Sequence, residues 1–301
     1  MSDDESGGAA INRELELFGL YNKAPYLSIK YDSYFQVYEE TLRRYVGKQI
    51  TFVEVGILNG GSLFMWREYF GPGARIIGID LNPAAERWRA DGFEIFIGDQ
   101  ADPSFWREFY RQVGAIDVLM DDGGHRNSQQ ILTVSEAIPN VRDGGTIIVE
   151  DIHGSYMREF GNPSRYSFLN FARRLVDSIN SRHGPFEKTA TVYSKSVYSV
   201  AFYESIVVLG IDSQRCFRSA ATQNRGAATG AEDFRYRSLL PRGLSELPGA
   251  LTARLGGRER LGVLKKIPFL VGVYSTILRL AHSTLSRIEN RRLRKFFRDE
   301  A

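Results

Sequence analysis

"QITFVEVGILNGGSLFMWREYF", residues 49–70, decides how the rest of the chain is read. Its opening is β-branched and apolar up to Glu54, the pattern of a strand buried on both faces. Glycines at 56, 60 and 61 then lead into apolar residues at helical spacing, which run to "GPG" at 71–73. A strand that turns through glycines into a helix brings backbone N–H groups and a helix N-terminus close to a ligand.

The glycine spacing narrows the choice of ligand. A dinucleotide fingerprint needs G-x-G-x-x-G; Gly56 and Gly61 take its outer positions, but Leu58 stands where the middle glycine must admit a pyrophosphate. The frame E-x-G-x-x-x-G is met instead by Glu54, Gly56 and Gly60. It resembles motif I of class I S-adenosylmethionine-dependent methyltransferases. That cofactor is zwitterionic at its methionine end, so an acid before the turn suits its ammonium. Asp80 closes the next strand, 24 residues after Gly56, where a carboxylate can accept both ribose hydroxyls; Asp99 and Gln100 end a third strand within reach of the adenine. A tight turn whose solvated carboxylates cap helices would use the same residues.

Outward from this stretch the chain alternates. "YFQVYEETLRRYV" (34–46) is an amphipathic helix, "RIIGID" (75–80) and "FEIFIGD" (93–99) are strands, and "SFWREFYRQV" (104–113) is a helix. "AIDVLMDD" (115–122) is a strand, "SQQILTVSEAIPNV" (128–141) a helix, and "GGTIIVED" (144–151) a strand. "YSFLNFARRLVDSINSR" (166–182) has helical periodicity, and "KTATVYSKSVYSVAFYESIVVLG" (188–210) reads as two or three closing strands. This rhythm predicts a doubly wound, Rossmann-like α/β sheet, mostly parallel with the last strand antiparallel. The expected divisions are a flexible N-terminus over 1–25, a catalytic domain over 26–212, a linker over 213–257 and a helical tail over 258–301.

"DVLMDDGGHRNSQQ" (117–130) ends a buried strand on acids, glycines and a histidine, at the strand end where ligands collect in open α/β sheets. The strands ending at Asp122 and at Glu150–Asp151 should be neighbours. Three carboxylates brought together repel unless a cation lies among them. Hard oxygen ligands without cysteine suit Mg²⁺ or another hard divalent ion. His125, three residues past Asp122, is placed to act beside the ion: the metal lowers the pKa of an alcohol while an imidazole accepts its proton. A loop held by cap and turn hydrogen bonds would need the same residues.

"MDDGGH", "VRDGGTIIVEDIHGSY" and "FLNFARRLVDSIN" together resemble the metal-dependent sugar O-methyltransferases of macrolide biosynthesis, of mycinamicin type, with the related rhamnosyl O-methyltransferase and cephalosporin hydroxylase group. The likeness covers roughly 26–210. It implies that Asp122, Glu150 and Asp151 are metal ligands and His125 the general base. It also implies that Ser62, Asp80, Asp99, Gln100 and Asp122 line the cofactor pocket. The family pattern of "DK", a histidine and "Y-x-x-x-Y" before the first strand is met here by Lys30, Tyr34 and Tyr38 without the histidine. Residues 152–170, with Tyr156, Arg158 and Tyr166, are placed to cover an acceptor, their aromatics stacking on sugar faces or packing inward.

Composition sets outer bounds. With 43% hydrophobic and 25% charged residues in 301, wholesale disorder and a multi-span membrane protein are both excluded. Cys216 is the only cysteine, and "MSDDESGGAA" lacks the basic and apolar regions of a secretory signal, so the expected compartment is the cytoplasm. The net charge of +3 hides an asymmetry: Arg254–Ala301 holds 12 Lys and Arg against 4 Asp and Glu, leaving 27 basic and 32 acidic residues elsewhere. The tail's longest uncharged run, Ile267–Leu278, has 12 residues, short of the roughly 20 that cross a bilayer. A basic amphipathic helix of this kind lies on an anionic membrane surface or completes a homo-oligomer. No nucleic-acid partner is expected, because aromatic interleaving and a recognisable nucleic-acid-binding fold are lacking.

The expected activity is therefore methyl transfer from S-adenosylmethionine to a sugar hydroxyl of a glycolipid, surface polysaccharide or glycosylated natural product. A catechol or phenol acceptor is the alternative within enzymes. A non-catalytic cofactor-binding assembly partner is the alternative outside them, and a scaffold has no use for so costly a charge cluster.

Overall fold

The computed structural model describes residues 14–160, 165–183 and 190–227, together with Gly230, Arg287, Asn290, Arg291 and Leu293. Two compact units divide the chain at Ala221/Thr222. Apart from Gly230 and the last four residues, which are helical and exposed, the expected linker from 228 onward and the basic tail lie outside the described residues.

In the first unit seven strands form one sheet: β1 (Thr51–Val55), β2 (Arg75–Asp80), β3 (Glu94–Ile97), β4 (Ile116–Asp121), β5 (Val141–Val149), β6 (Val197–Tyr203) and β7 (Ile206–Ile211). Their order is β3-β2-β1-β4-β5-β7-β6. β1 to β5 pair in parallel, while β7 runs antiparallel to both β5 and β6. The sheet reverses its winding between β1 and β4, and that is where a doubly wound sheet opens a crevice at its strand ends.

Six α-helices accompany the sheet: α1 (Glu16–Lys23), α2 (Tyr34–Leu42), α3 (Gly61–Phe70), α4 (Pro103–Val113), α5 (Asn127–Ala137) and α6 (Phe168–Asn180). Residue parity along the strands sorts the core into two layers. Phe52, Ile76, Val118, Met120 and Ile148 pack with Leu17, Tyr38 and Trp66 of α1, α2 and α3. Val53, Val55, Ile77, Leu119 and Ile147 pack with Trp106, Val134 and Phe168 of α4, α5 and α6.

Helix α4 shows how the sequence specifies such a layer. Asp102 caps it by accepting from Ser104 N, Pro103 fits the first turn, and Gly114 ends it. Trp106, Phe109, Tyr110 and Val113 recur at intervals of three and four and are buried, each contributing roughly 1.5–3 kcal/mol.

One local expectation differs: residues 16–23, read as part of a flexible start, form α1, whose Leu17 is fully buried and donates its backbone N–H to Glu39 Oε1 at 2.8 Å. The stretch 188–210 supplies the two closing strands β6 and β7, the latter ending at Ile211, preceded by a 3-10 turn at Val192–Lys195. No helix among the described residues is long and apolar enough to cross a membrane.

Candidate active site

The carboxyl ends of β1 to β5 wall a cavity of about 470 Å³, within the roughly 300–1,000 Å³ usual for small-molecule sites. Gly56, Asp80, Asp99, Gln100, Asp122, His125 and Asp151 all line it. Glu54, Gly60, Ser62 and Glu150 do not.

Gly56 has φ +83°, and a Cβ there would sit 2.1 Å from the carbonyl oxygen of Asp122, so the loops after β1 and β4 touch at a point only glycine permits. Gly60, at φ +75°, caps α3 and faces the Trp88 ring instead of the cavity. Asp80 holds the glycine loop in shape: its Oδ2 accepts from Ile57 N and Leu58 N at 3.1 and 3.2 Å, and its Oδ1 from Asn82 N at 2.8 Å. A carboxylate offers about four lone-pair sites, so Asp80 keeps capacity for a ligand hydroxyl. Asp99 is exposed and accepts from Ala101 N.

Gln100 lines the cavity while its side-chain amide is engaged by protein groups. Its Oε1 accepts from Gly124 N at 2.7 Å, and its Nε2 donates to Asp121 and Thr133 at 3.0 and 3.1 Å. The amide thus ties the loop carrying Asp122 and His125 to the core. Glu54 is turned away from the cavity. As an even-numbered residue of β1 it shares the layer of Phe52, where Ser62 Oγ and Trp66 Nε1 donate to it at 2.7 and 3.3 Å. The ammonium that Glu54 meets is that of Lys30, 3.6 Å away.

Adjacent acids at the strand ends part company, because neighbouring residues of an extended chain point to opposite sides. At β4, Asp121 turns inward to Gln100 and Gly123 N, while Asp122 faces the cavity. At β5, Glu150 is buried and Asp151 faces the cavity. Lys30 Nζ donates to Asp122 Oδ2 at 2.6 Å and Glu150 Oε2 at 3.0 Å, and Tyr38 donates to Glu150 Oε1 at 2.6 Å. The Lys30 side chain is only 1% exposed. Burial works against its charge, but Asp122, Glu150 and Glu54 outweigh burial and hold its pKa well above the usual value. Burial also pushes Glu150 up to about 8, against the pull of Lys30. Both Glu150 oxygens are engaged, and Glu150 is not in the group of possible ligands whose atoms lie together among the described residues.

Asp122, His125 and Asp151 converge instead: each offers one ligand atom, and the three lie within 4.8 Å of one another. His125 Nε2 is 3.5 Å from Asp151 Oδ2, and its Nδ1 is buried without a hydrogen-bond partner. Two carboxylate oxygens facing a cavity fit a hard divalent ion that keeps several waters, and the imidazole beside them fits either a third ligand or a base.

Further residues complete this wall. Tyr34 donates to Asp151 Oδ1 from α2. His153, two residues past Asp151, bonds through Nδ1 to Ser205 Oγ in the β6–β7 turn and stands edge-on to Tyr31. Neither His153 nor Ser205 stood out in the sequence, although "EDIH" holds an imidazole within reach of the strand end. Asn127 Oδ1 accepts from Phe168 N and Ser155 Oγ, tying the stretch after β5 to α5; Tyr156 and Tyr166 on that stretch are exposed.

Fold and crevice define the class, a doubly wound α/β domain with a ligand cavity at its strand ends. Residues 53–152 match the family model described as a methyltransferase domain. The chain is similar to the 8-demethyl-8-alpha-L-rhamnosyl tetracenomycin-C 2'-O-methyltransferase of Streptomyces olivaceus, 29% identical over 187 residues, 58% of this chain and 49% of that one. A 3'-O-methyltransferase of the same organism, acting on 8-demethyl-8-(2-methoxy-alpha-L-rhamnosyl)-tetracenomycin-C by name, is 33% identical over 58% of this chain and 47% of its own. Mycinamicin VI 2''-O-methyltransferase of Micromonospora griseorubida is 30% identical over 49% and 40%. The chain spans about half the length of these relatives or less. Among solved structures, the MycE methyltransferase in complex with Mg, SAH and mycinamycin VI shares the fold, with a TM-score of 0.60 and 24% identity over 67% of this chain and 54% of that one.

Proposed function

We propose that the protein transfers a methyl group from S-adenosylmethionine to a sugar hydroxyl of a glycosylated small molecule, assisted by a divalent ion, Mg²⁺ by preference. One observation carries the reading: Asp122, His125 and Asp151 meet on the wall of the same cavity that Asp80 and Asp99 line. The sugar O-methyltransferases among its relatives support the acceptor class.

Each residue then has a task. The close approach permitted by Gly56 shapes the floor under the cofactor, and Asp80 and Asp99 present carboxylates to its hydroxyl and amino groups. Asp122 and Asp151 would hold the ion. When bound, the cofactor supplies an electrophilic methyl on sulfur and the ion lowers the pKa of the acceptor hydroxyl. His125 accepts the hydroxyl proton on a ring nitrogen, and the imidazolium so formed stands beside Asp151, whose charge stabilises it. The exposed Tyr156 and Tyr166 flank the acceptor. Peripheral membrane contact through 258–301 would favour a lipid-linked acceptor; the relatives favour a glycosylated natural product, and we adopt the latter.

The test is methyl transfer from labelled cofactor to a panel of glycosylated aglycones, rhamnosides included, with and without chelator. Labelled product that vanishes with chelator and returns with Mg²⁺ is expected, along with a melting midpoint raised by S-adenosylmethionine and unmoved by NADH. No midpoint shift and no labelled product across the panel would refute the reading.

A further inference from the structure

Among the described residues, four other than glycine adopt left-handed backbone: Leu58, His125, Asp151 and Ser205. Such conformations cost of order 1 kcal/mol or more and persist where surrounding contacts impose them. The first three line the cavity. Ser205 does not; it lies in the two-residue turn between β6 and β7, where Tyr203 pairs with Ile206.

That turn reaches back to the end of β5. Ser205 O accepts from Ile152 N at 3.1 Å, and Ser205 Oγ bonds to His153 Nδ1. The turn therefore grips the two residues that follow Asp151, by backbone at 152 and by side chain at 153. His153 Nδ1 is 4.0 Å from Asp151 Oδ1, and the same Oδ1 receives the Tyr34 hydroxyl. Asp151 Oδ2 is left to face His125. With Oδ1 hemmed in by Tyr34 and His153, and the backbone pinned by Ser205, Asp151 has one oxygen aimed at the ion position.

We propose that His153 and Ser205 are a positioning pair, a brace from the β6–β7 turn that fixes Asp151 in its left-handed conformation with Oδ2 directed at the divalent ion. The inference rests on the ion-assisted reading above. Neither residue lines the cavity; both act through Asp151.

Mn²⁺ serves as the probe, its affinity measured by electron paramagnetic resonance beside S-adenosylmethionine affinity and melting midpoint. Ser205→Gly deletes the hydroxyl while leaving a residue that takes positive φ without strain, so the turn survives. His153→Leu removes the imidazole, and His153→Asn keeps a polar atom near the Nδ1 position. Outer partners of metal ligands typically contribute about 10–100-fold to affinity, so Ser205→Gly and His153→Leu should each weaken Mn²⁺ by about tenfold or more. The double variant should be no worse than the weaker single, because one shared interaction is lost only once. His153→Asn should recover most of the affinity, and cofactor affinity should hold throughout. Unchanged Mn²⁺ affinity, additive losses, or losses that merely follow the melting midpoint would overturn the brace. Wild-type protein that binds cofactor but no Mn²⁺ would overturn both the brace and the ion-assisted reading; wild-type binding with unaffected variants would overturn the brace alone.

Discussion

Lys30→Met tests the buried charge cluster most directly. Methionine keeps the length and most of the volume of lysine but removes the ammonium that Asp122, Glu150 and Glu54 surround at 2.6, 3.0 and 3.6 Å. Deleting one partner of a buried ion pair costs about 3–5 kcal/mol, because the remaining charge is stranded away from water. In a domain of about 200 residues each kcal/mol moves the midpoint by about 2–4 °C, so a fall of about 6–20 °C is expected. Thermal and urea unfolding followed by circular dichroism would measure it. Millimolar Mg²⁺ should stabilise the variant more than the wild type, by up to about 2.7 kcal/mol at a hundredfold excess over its Kd, since the ion then supplies the missing positive charge. A loss below about 1 kcal/mol, or equal rescue of both proteins, would refute the idea that Lys30 balances these acids, since surface pairs contribute no more than that.

Three further outcomes follow from the geometry. His125→Ala should leave cofactor affinity near wild type and lower turnover by about 10²–10⁴, read by calorimetry and single-turnover kinetics. Gly56→Ala should both destabilise and impair cofactor binding, because the new methyl meets the Asp122 carbonyl at 2.1 Å under a left-handed φ; equilibrium unfolding should show a loss of about 1–3 kcal/mol from the backbone alone. Gln100→Leu strands Gly124 N, at about 1–3 kcal/mol for the unsatisfied group, and leaves Asp121 Oδ1 with Gly123 N alone; its cost should show in stability even without cofactor.

Much of the fold was legible because strand and helix periods differ so clearly between residues 49 and 182. Helix α1 was not, since Leu17 and its neighbours sit among charged residues whose partners lie on α2 and α3. At the site, the sequence marked the right strand ends but not which acids share a cavity. Parity carried an unused clue: Glu54 lies one residue from Val55, and Glu150 one residue from Asp151, so members of each pair must face opposite ways unless the strand breaks between them. Lys30 was visible as part of a tyrosine-containing pattern. Its place among three acids depends on the path of residues 24–31, which no local periodicity encodes. The grip of Ser205 on the end of β5 depends on a strand pairing formed more than fifty residues later, and is equally invisible to local reading.

Gly56 abuts the carbonyl of Asp122, which joins the loop after β1 to the loop after β4. Under the proposed function, those loops would seat the methyl donor and the ion, and neither could shift without the other. Lys30 and His153 are tied into the same wall, so a change of acceptor would fall to exposed positions such as Tyr156 and Tyr166.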